Sequence, residues 1–337
     1  MGARLSSGVA RCARLGPRRS PAAAGPRPGP AAGEGNTLIA EDIQVAQGAA
    51  FLDFADVLHL EPCEGEVSAG WPHAGRPPRA FGGVTLAQAL LAATRTVDPG
   101  RRVHSVHGHF LRSVDTTAPV RYACGHRRDG ISYAARSVEA QQHGRTVLDL
   151  TVSFKLPEKG LDLRPDAPSA PDPDDCPAPY RDLARDEPDR YADRTIPRVM
   201  DLRIVEQDAT ELAAREQGLS RQRVWVRSNR PMPDDPALHT AALAYFSDLT
   251  LSPTATLPWE PRIGEGPRGR ALMLASLDHA LWIHRDFRAD AWLLYTQRTL
   301  TVSDGRALSQ GEMWTPEGEL VATVAQESVL RHRPAGA

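Results

Sequence analysis

Gln326 and Asp248 are the side chains in this sequence whose settings most call for a chemical role. Gln326 lies in VATVAQESVL (321–330), which alternates like a β-strand, so Ala322, Val324, Gln326, Ser328 and Leu330 share one face. That face begins and ends apolar, and a buried amide without partners costs about 1–3 kcal/mol. Asp248 lies in LHTAALAYFSDL (238–249), a segment with helical spacing. A carboxylate withdrawn from water needs partners or a task.

The elements that must position these residues occur twice. In the first half GGVTLAQALLAATRTV (82–97) has helical spacing. The strand HSVHGHFL (104–111) follows, then strands around 119–125, 131–141 and 145–155 with turn signals at RDG (128–130) and HG (143–144). In the second half the helix at 238–249 precedes LDHALWIH (277–284) and strands around 292–302, 306–314 and 319–330, with turns at SDG (303–305) and EG (317–318). Asp129-Gly130 and Asp304-Gly305 lie 304 − 129 = 175 apart, and Gly144 and Gly318 lie 318 − 144 = 174 apart. Matching order and spacing predict a duplicated unit of one long helix against an antiparallel meander, an α+β layer.

Between the copies, residues 157–197 are crowded with proline and acid and read as a linker with one short helix around 180–193. At the repeat offset Gln326 falls on Val152, within the apolar face Leu148, Leu150, Val152 and Phe154. Setting residue 82 against 239 places Asp248 on Leu91, and a slip of one residue still meets Leu90. An acid and an amide of the second copy thus stand where the first copy is core.

These motifs resemble the acyl-CoA thioesterase II family. The N-terminal likeness runs through RAFGGVTLAQAL (79–90), VHSVHGHFLR (103–112), RRDGISYAARSVEAQQHG (127–144) and TVSFK (151–155). The C-terminal likeness runs through YFSDL (245–249), SLDHALWIHRDFRADAWLLY (276–295) and EGELVATVAQESVLR (317–331). The resemblance implies a double hotdog, two long helices each wrapped by an antiparallel sheet in one chain. It implies domains at 41–156 and 198–333 around the 157–197 linker, with the catalytic residues in the second. The implied activity is hydrolysis of acyl-CoA to free acid and CoA, and the implied catalytic set is an Asp, a Thr and a Gln that activate a water. The Asp matches Asp248 and the Gln matches Gln326, while the Thr falls on Ser276, which keeps the hydroxyl and loses the methyl that fixes its rotamer. Gly82 and Gly83, at the start of the first helix, are substrate-binding candidates whose N–H groups could meet an oxyanion. That scheme uses no metal, cofactor or covalent nucleophile.

Two rivals stay open. A hotdog enoyl-CoA hydratase uses an Asp/His pair on one helix, and His239 and Asp248, nine residues apart, fall on roughly opposite faces. A non-catalytic acyl-CoA-binding hotdog protein is the other.

The remaining candidates read as structural. Of His104, His107 and His109, only the last two share a strand face, and no acid or cysteine lies beside them as a metal ligand. Asp278 and His279 are adjacent on a strand and point to opposite faces, so they do not readily pair as a general-base dyad, and a structural or substrate-positioning role is expected. Gly82-Gly83 is not a nucleotide fingerprint. Trp225, in RQRVWVR (221–227), is expected to pack on the sheet, and its flanking arginines are available to phosphates.

Composition bounds the rest. Of 337 residues 41% are hydrophobic and 24% charged, with a formal net charge of −2, giving no basic footprint for nucleic acid. No apolar run reaches the ~18 residues that span a bilayer. Cys12, Cys63, Cys124 and Cys176 are scattered, which suggests a reducing compartment and a cytoplasmic protein. The Arg-rich, acid-free start is broken by prolines, so residues 1–40 are expected to be a disordered tail and not a transit helix. A homo-oligomer is expected by analogy with other hotdog proteins.

Overall fold

A computed structural model of the chain describes residues 51, 53–76, 79–261 and 272–333. The expected tail over 1–40 lies outside them. The first half contains α1 (Phe54–Val57), β1 (Glu61–Pro62), β2 (Val67–Gly70), β3 (Ala74–Arg76) and β4 (Arg79–Ala80). Its long helix α2 (Gly82–Thr94) follows, then β5 (Arg102–Phe110), β6 (Val120–Asp129), β7 (Tyr133–Gln142) and β8 (Arg145–Lys155). The joining segment holds α3 (Pro179–Asp186), α4 (Pro188–Ala192) and α5 (Thr195–Val199). The second half has β9 (Met200–Ile204), α6 (Ala209–Glu216), β10 (Arg221–Ser228) and the long helix α7 (Pro236–Thr254). It closes with β11 (Leu272–Ser276), β12 (Asp278–Ile283), β13 (Leu293–Ser303), β14 (Arg306–Trp314) and β15 (Leu320–His332).

The two meanders join edge to edge. β5 pairs antiparallel with β12, and this seam makes one 13-stranded sheet in the order β1-β2-β6-β7-β8-β5-β12-β15-β14-β13-β10-β9, with β11 also on β15. The turn signals act at particular places. His143-Gly144 and Asp304-Gly305 both take positive φ, the geometry a two-residue hairpin needs, whereas Gly130 does not. The β6–β7 turn, Gly130–Ser132, is longer than its counterpart at Asp304-Gly305, so the copies match in order more closely than in turn geometry.

Both long helices are buried on nearly every side, from Gly83 to Ala93 in α2 and from His239 to Asp248 in α7. Helices apolar all round belong in a core, where the concave sheet and the partner helix cover every face. Glycine sets how closely they meet: a Cβ on Gly83 would stand 2.8 Å from the Tyr245 carbonyl oxygen. α7 runs to Thr254, five residues past the sequence expectation. Thr250, Ser252 and Pro253 are poor helix formers, but burial of that last turn overrides propensity.

The segment over 157–197 does more than span a gap. It contains a 3₁₀ turn at Pro173–Asp175 and helices where one was expected. It also straps the outer face of the C-terminal sheet: Trp225 Nε1 donates to the Pro171 carbonyl at 3.0 Å and Arg223 Nη1 to that of Ser169 at 2.7 Å. Trp225, Trp314, Leu294, Val205 and Cys176 form a small second core there.

Candidate active site

Asp248 projects from the middle of α7 toward β15. The carboxylate is 6% exposed, as is Leu91, and Gln326 is 1% exposed beside 0% for Val152. The twins are therefore equally buried, and the second copy places polar groups where the first packs hydrocarbon. Gln326 Nε2 donates to Asp248 Oδ1 at 2.6 Å, and Ser276 Oγ donates to the same oxygen at 3.3 Å. The three residues named from the sequence meet, although 78 residues separate the first two contacting partners.

Ser276 reaches this point on a strand of its own, β11, which precedes β12, the strand expected over 277–284. β11 ends at Ser276 and β12 begins at Asp278, and both pair with β15. Ser276 stands opposite Ser328 on β15, whereas in the first copy the pair on the corresponding strands is Val103 opposite Phe154. Among the site residues Ser276 is half-buried while Asp248 and Gln326 are buried, so it lies on the side open to solvent.

Gly82 closes the other side. A Cβ there would lie 2.8 Å from Asp248 Oδ2, so only glycine lets the first turn of α2 approach the carboxylate. That turn carries no side-chain cap, in contrast to α7, whose first turn is capped by Asp235 accepting from the Ala237 N–H at 2.9 Å. The first N–H groups of a helix have no intrahelical acceptor and lie at its positive end. Gly82 thus brings the uncapped start of α2 against the Asp248 carboxylate.

Two members of the cluster were missed in the sequence. Ser252 Oγ donates to Gln326 Oε1 at 2.8 Å and lies 2.5 Å from Ser328 Oγ. Ser328 was visible on the Gln326 face. Ser252 lay beyond the expected helix end, though its i+4 spacing from Asp248 was the signal available.

His104 and His107 each have a side-chain partner. His104 Nε2 meets Ser153 Oγ at 2.8 Å, and His107 stacks edge-on against Trp282. No group of three or more His, Cys, Asp or Glu among the described residues could hold a metal. His279 points inward to Ser247 Oγ at 2.7 Å while Asp278 points away and accepts the Glu327 N–H, as strand alternation requires. Burial lowers the His279 pKa, opposed by the charges of Asp248 and Asp278. His239 Nδ1 is taken by the Ala289 N–H at 3.0 Å, so it is not paired with Asp248. The arginines flanking Trp225 are also engaged: Arg223 pairs with Glu211, and Arg227 lies over the Trp292 ring. A surface cavity of about 520 Å³ near Arg223, Glu312 and Trp314 contains none of the site residues.

The fold and site define a double hotdog with an acid–amide–hydroxyl cluster in its second half, faced by the long helix α2 of its first half. The chain belongs to the acyl-CoA thioesterase II family. Residues 67–155 match the model of the acyl-CoA thioesterase N-terminal domain and residues 173–330 that of the C-terminal domain. Acyl-coenzyme A thioesterase 8 of Homo sapiens is 31% identical over 290 residues, covering 82% of this chain and 88% of the relative. Acyl-CoA thioesterase 2 of Haemophilus influenzae is 30% identical over 259 residues, covering 74% and 87%. In the solved acyl-CoA thioesterase II TesB2 of Mycobacterium marinum the TM-score is 0.68 at 38% identity, over 84% of this chain and 100% of that one. A hot dog protein from Alicyclobacillus acidocaldarius, 20% identical with a TM-score of 0.65, shares the fold.

Proposed function

We propose that Asp248, Gln326 and Ser276 form the hydrolytic centre at which this acyl-CoA thioesterase releases free acid and CoA. The 2.6 Å bond between Gln326 and Asp248, made in a core position and faced by Gly82, carries the reading. Gln326 spends one Nε2 hydrogen on the carboxylate and has a second for a water. Ser276 adds a hydroxyl from the half-buried side. Asp248 accepts the water's proton as oxygen attacks the thioester carbonyl carbon. The Gly82 and Gly83 N–H groups receive the developing oxyanion, and its collapse breaks the C–S bond. The proton held by Asp248 then neutralises the departing CoA thiolate.

The hydratase reading loses support because the histidine on α7 is committed to Ala289. The division into hotdog domains at 41–156 and 198–333 belongs to this same reading. So do a homo-oligomeric state, a cytoplasmic location and a place in lipid metabolism. Free Cys63, Cys124 and Cys176 support a reducing compartment, and no helix among the described residues is long and apolar enough to cross a membrane.

The test is thiol release over acyl-CoAs of varied chain length, with an enoyl-CoA included. Wild type should release thiol, and Asp248→Asn should lose at least ~100-fold in kcat while remaining folded. Near-normal turnover by that variant would overturn the assignment, and hydration of the enoyl-CoA without thiol release would favour the hydratase.

A further inference from the structure

We infer that Ser252, backed by Ser328, is a positioning residue that fixes which way the Gln326 amide faces, and so makes it a donor to Asp248. The inference rests on the hydrolytic centre proposed above. An amide has one accepting and one donating end, and an ionised carboxylate only accepts. Gln326 meets Asp248 Oδ1 at 2.6 Å, where an amide oxygen turned toward the carboxylate would set two acceptors against each other. The other end, Oε1, lies 2.8 Å from Ser252 Oγ.

Ser252 has a single hydroxyl hydrogen, and Oε1 takes it. The 2.5 Å contact with Ser328 must then run the other way, Ser328 donating to Ser252. Ser276 lies 3.4 Å from Ser252 and donates to Asp248, so it does not compete for the same acceptor. The result is one directed chain: Ser328 hydroxyl to Ser252 hydroxyl to Gln326 carbonyl, and Gln326 N–H to Asp248. Each donor in such a chain is polarised by the bond it accepts, which strengthens the next bond.

Burial gives the chain its leverage. Ser252 and Ser328 are 4% and 1% exposed, so bulk water does not readily replace either hydroxyl. The first copy has no equivalent, because α2 stops at Thr94 and the strand residue matching Ser328 is Phe154. Two buried hydroxyls thus serve the side-chain amide that touches the acid.

Ser252→Ala should lower kcat roughly tenfold or more with KM little changed, because the defect lies in water placement. Ser252→Thr, which keeps the hydroxyl, should recover most of that loss. Ser328→Ala leaves the Ser252-to-Gln326 bond in place and should cost less than Ser252→Ala. The second readout needs no turnover. In the NMR spectrum of the full chain, the Gln326 side-chain amide should show one downfield, slowly exchanging hydrogen in wild type and in Ser252→Thr. It should broaden or split in Ser252→Ala. Wild-type kcat together with an unchanged Gln326 amide in Ser252→Ala would overturn the inference. Should that variant not fold, two solvent-like amide hydrogens on Gln326 in wild type would overturn it equally. A wild type that releases no thiol from any acyl-CoA defeats the hydrolase reading, and the amide spectra still decide the orientation.

Discussion

Gln326 Nε2 lies 2.6 Å from Asp248 Oδ1, a contact between β15 and α7 made at positions whose counterparts in the other half of the chain are the buried Val152 and Leu91. The pseudo-repeat therefore contains its own control. Converting the polar pair to its twins, Asp248→Leu with Gln326→Val, should abolish thiol release. It should also raise stability by about 1–3 kcal/mol, because a buried carboxylate and the neutral amide that donates to it are replaced by hydrocarbon of similar size. Urea denaturation checks it, and a double variant less stable than wild type would contradict the claim.

Gly82 and Gly83 divide function from folding. A Cβ on Gly82 meets the Asp248 carboxylate at 2.8 Å, so Gly82→Ala should cut kcat by on the order of 100-fold through displacement of that side chain. A Cβ on Gly83 meets the Phe81 ring at 2.5 Å and the Tyr245 carbonyl oxygen at 2.8 Å, so Gly83→Ala must push the helices apart. It should lose about 1–3 kcal/mol of stability. Thermal melts beside thiol-release rates separate the two.

Ser276 supplies the longest of the site's bonds to the acid, 3.3 Å to Oδ1. Ser276→Ala should lower kcat about tenfold. Ser276→Thr, which restores the residue of the family pattern, should at least equal wild type because the added methyl narrows the choice of rotamer. Steady-state kinetics on one good acyl-CoA measures both, and a threonine variant slower than the alanine one would refute the role.

Acid should weaken the fold through His73. Burial lowers its pKa from 6.5 to about 4, with the bond to the Ala74 carbonyl opposing and the charge of Arg198 assisting. Its Nδ1 faces that carbonyl at 3.3 Å, so Nε2 accepts the Tyr245 hydroxyl at 3.0 Å, and the neutral ring is the one that fits. A histidine whose folded pKa is lowered binds its proton more readily when unfolded. Stability is therefore full above pH 6.5, falls as pH drops toward about 4, and levels off below, a loss of about 3 kcal/mol from this group. Urea unfolding across that range should show the slope, and His73→Gln should remove this group's share of it.

Much of the architecture was legible in the order of elements. The helix starting at Gly82, the meanders and the strand carrying Gln326 follow from periodicity and turn residues, because those signals are local. The 157–197 segment was harder to read. Its proline and acid content says spacer, but Trp225 and Arg223 on a distant strand offer it donors, and those contacts strap it to the sheet.

The site divides in the same way. The sequence by itself determined that Asp248 and Gln326 stand on core faces, since their twins are Leu91 and Val152 and alternation fixes which way each points. Only the tertiary structure decided that the two meet, that Gly82 from the other half abuts the same carboxylate, and that Ser252 and Ser328 hold the amide from behind. Those relationships depend on how α2 and α7 cross and on β11 breaking from β12 at Leu277. Both are set by packing between residues far apart in the chain, which no local spacing records.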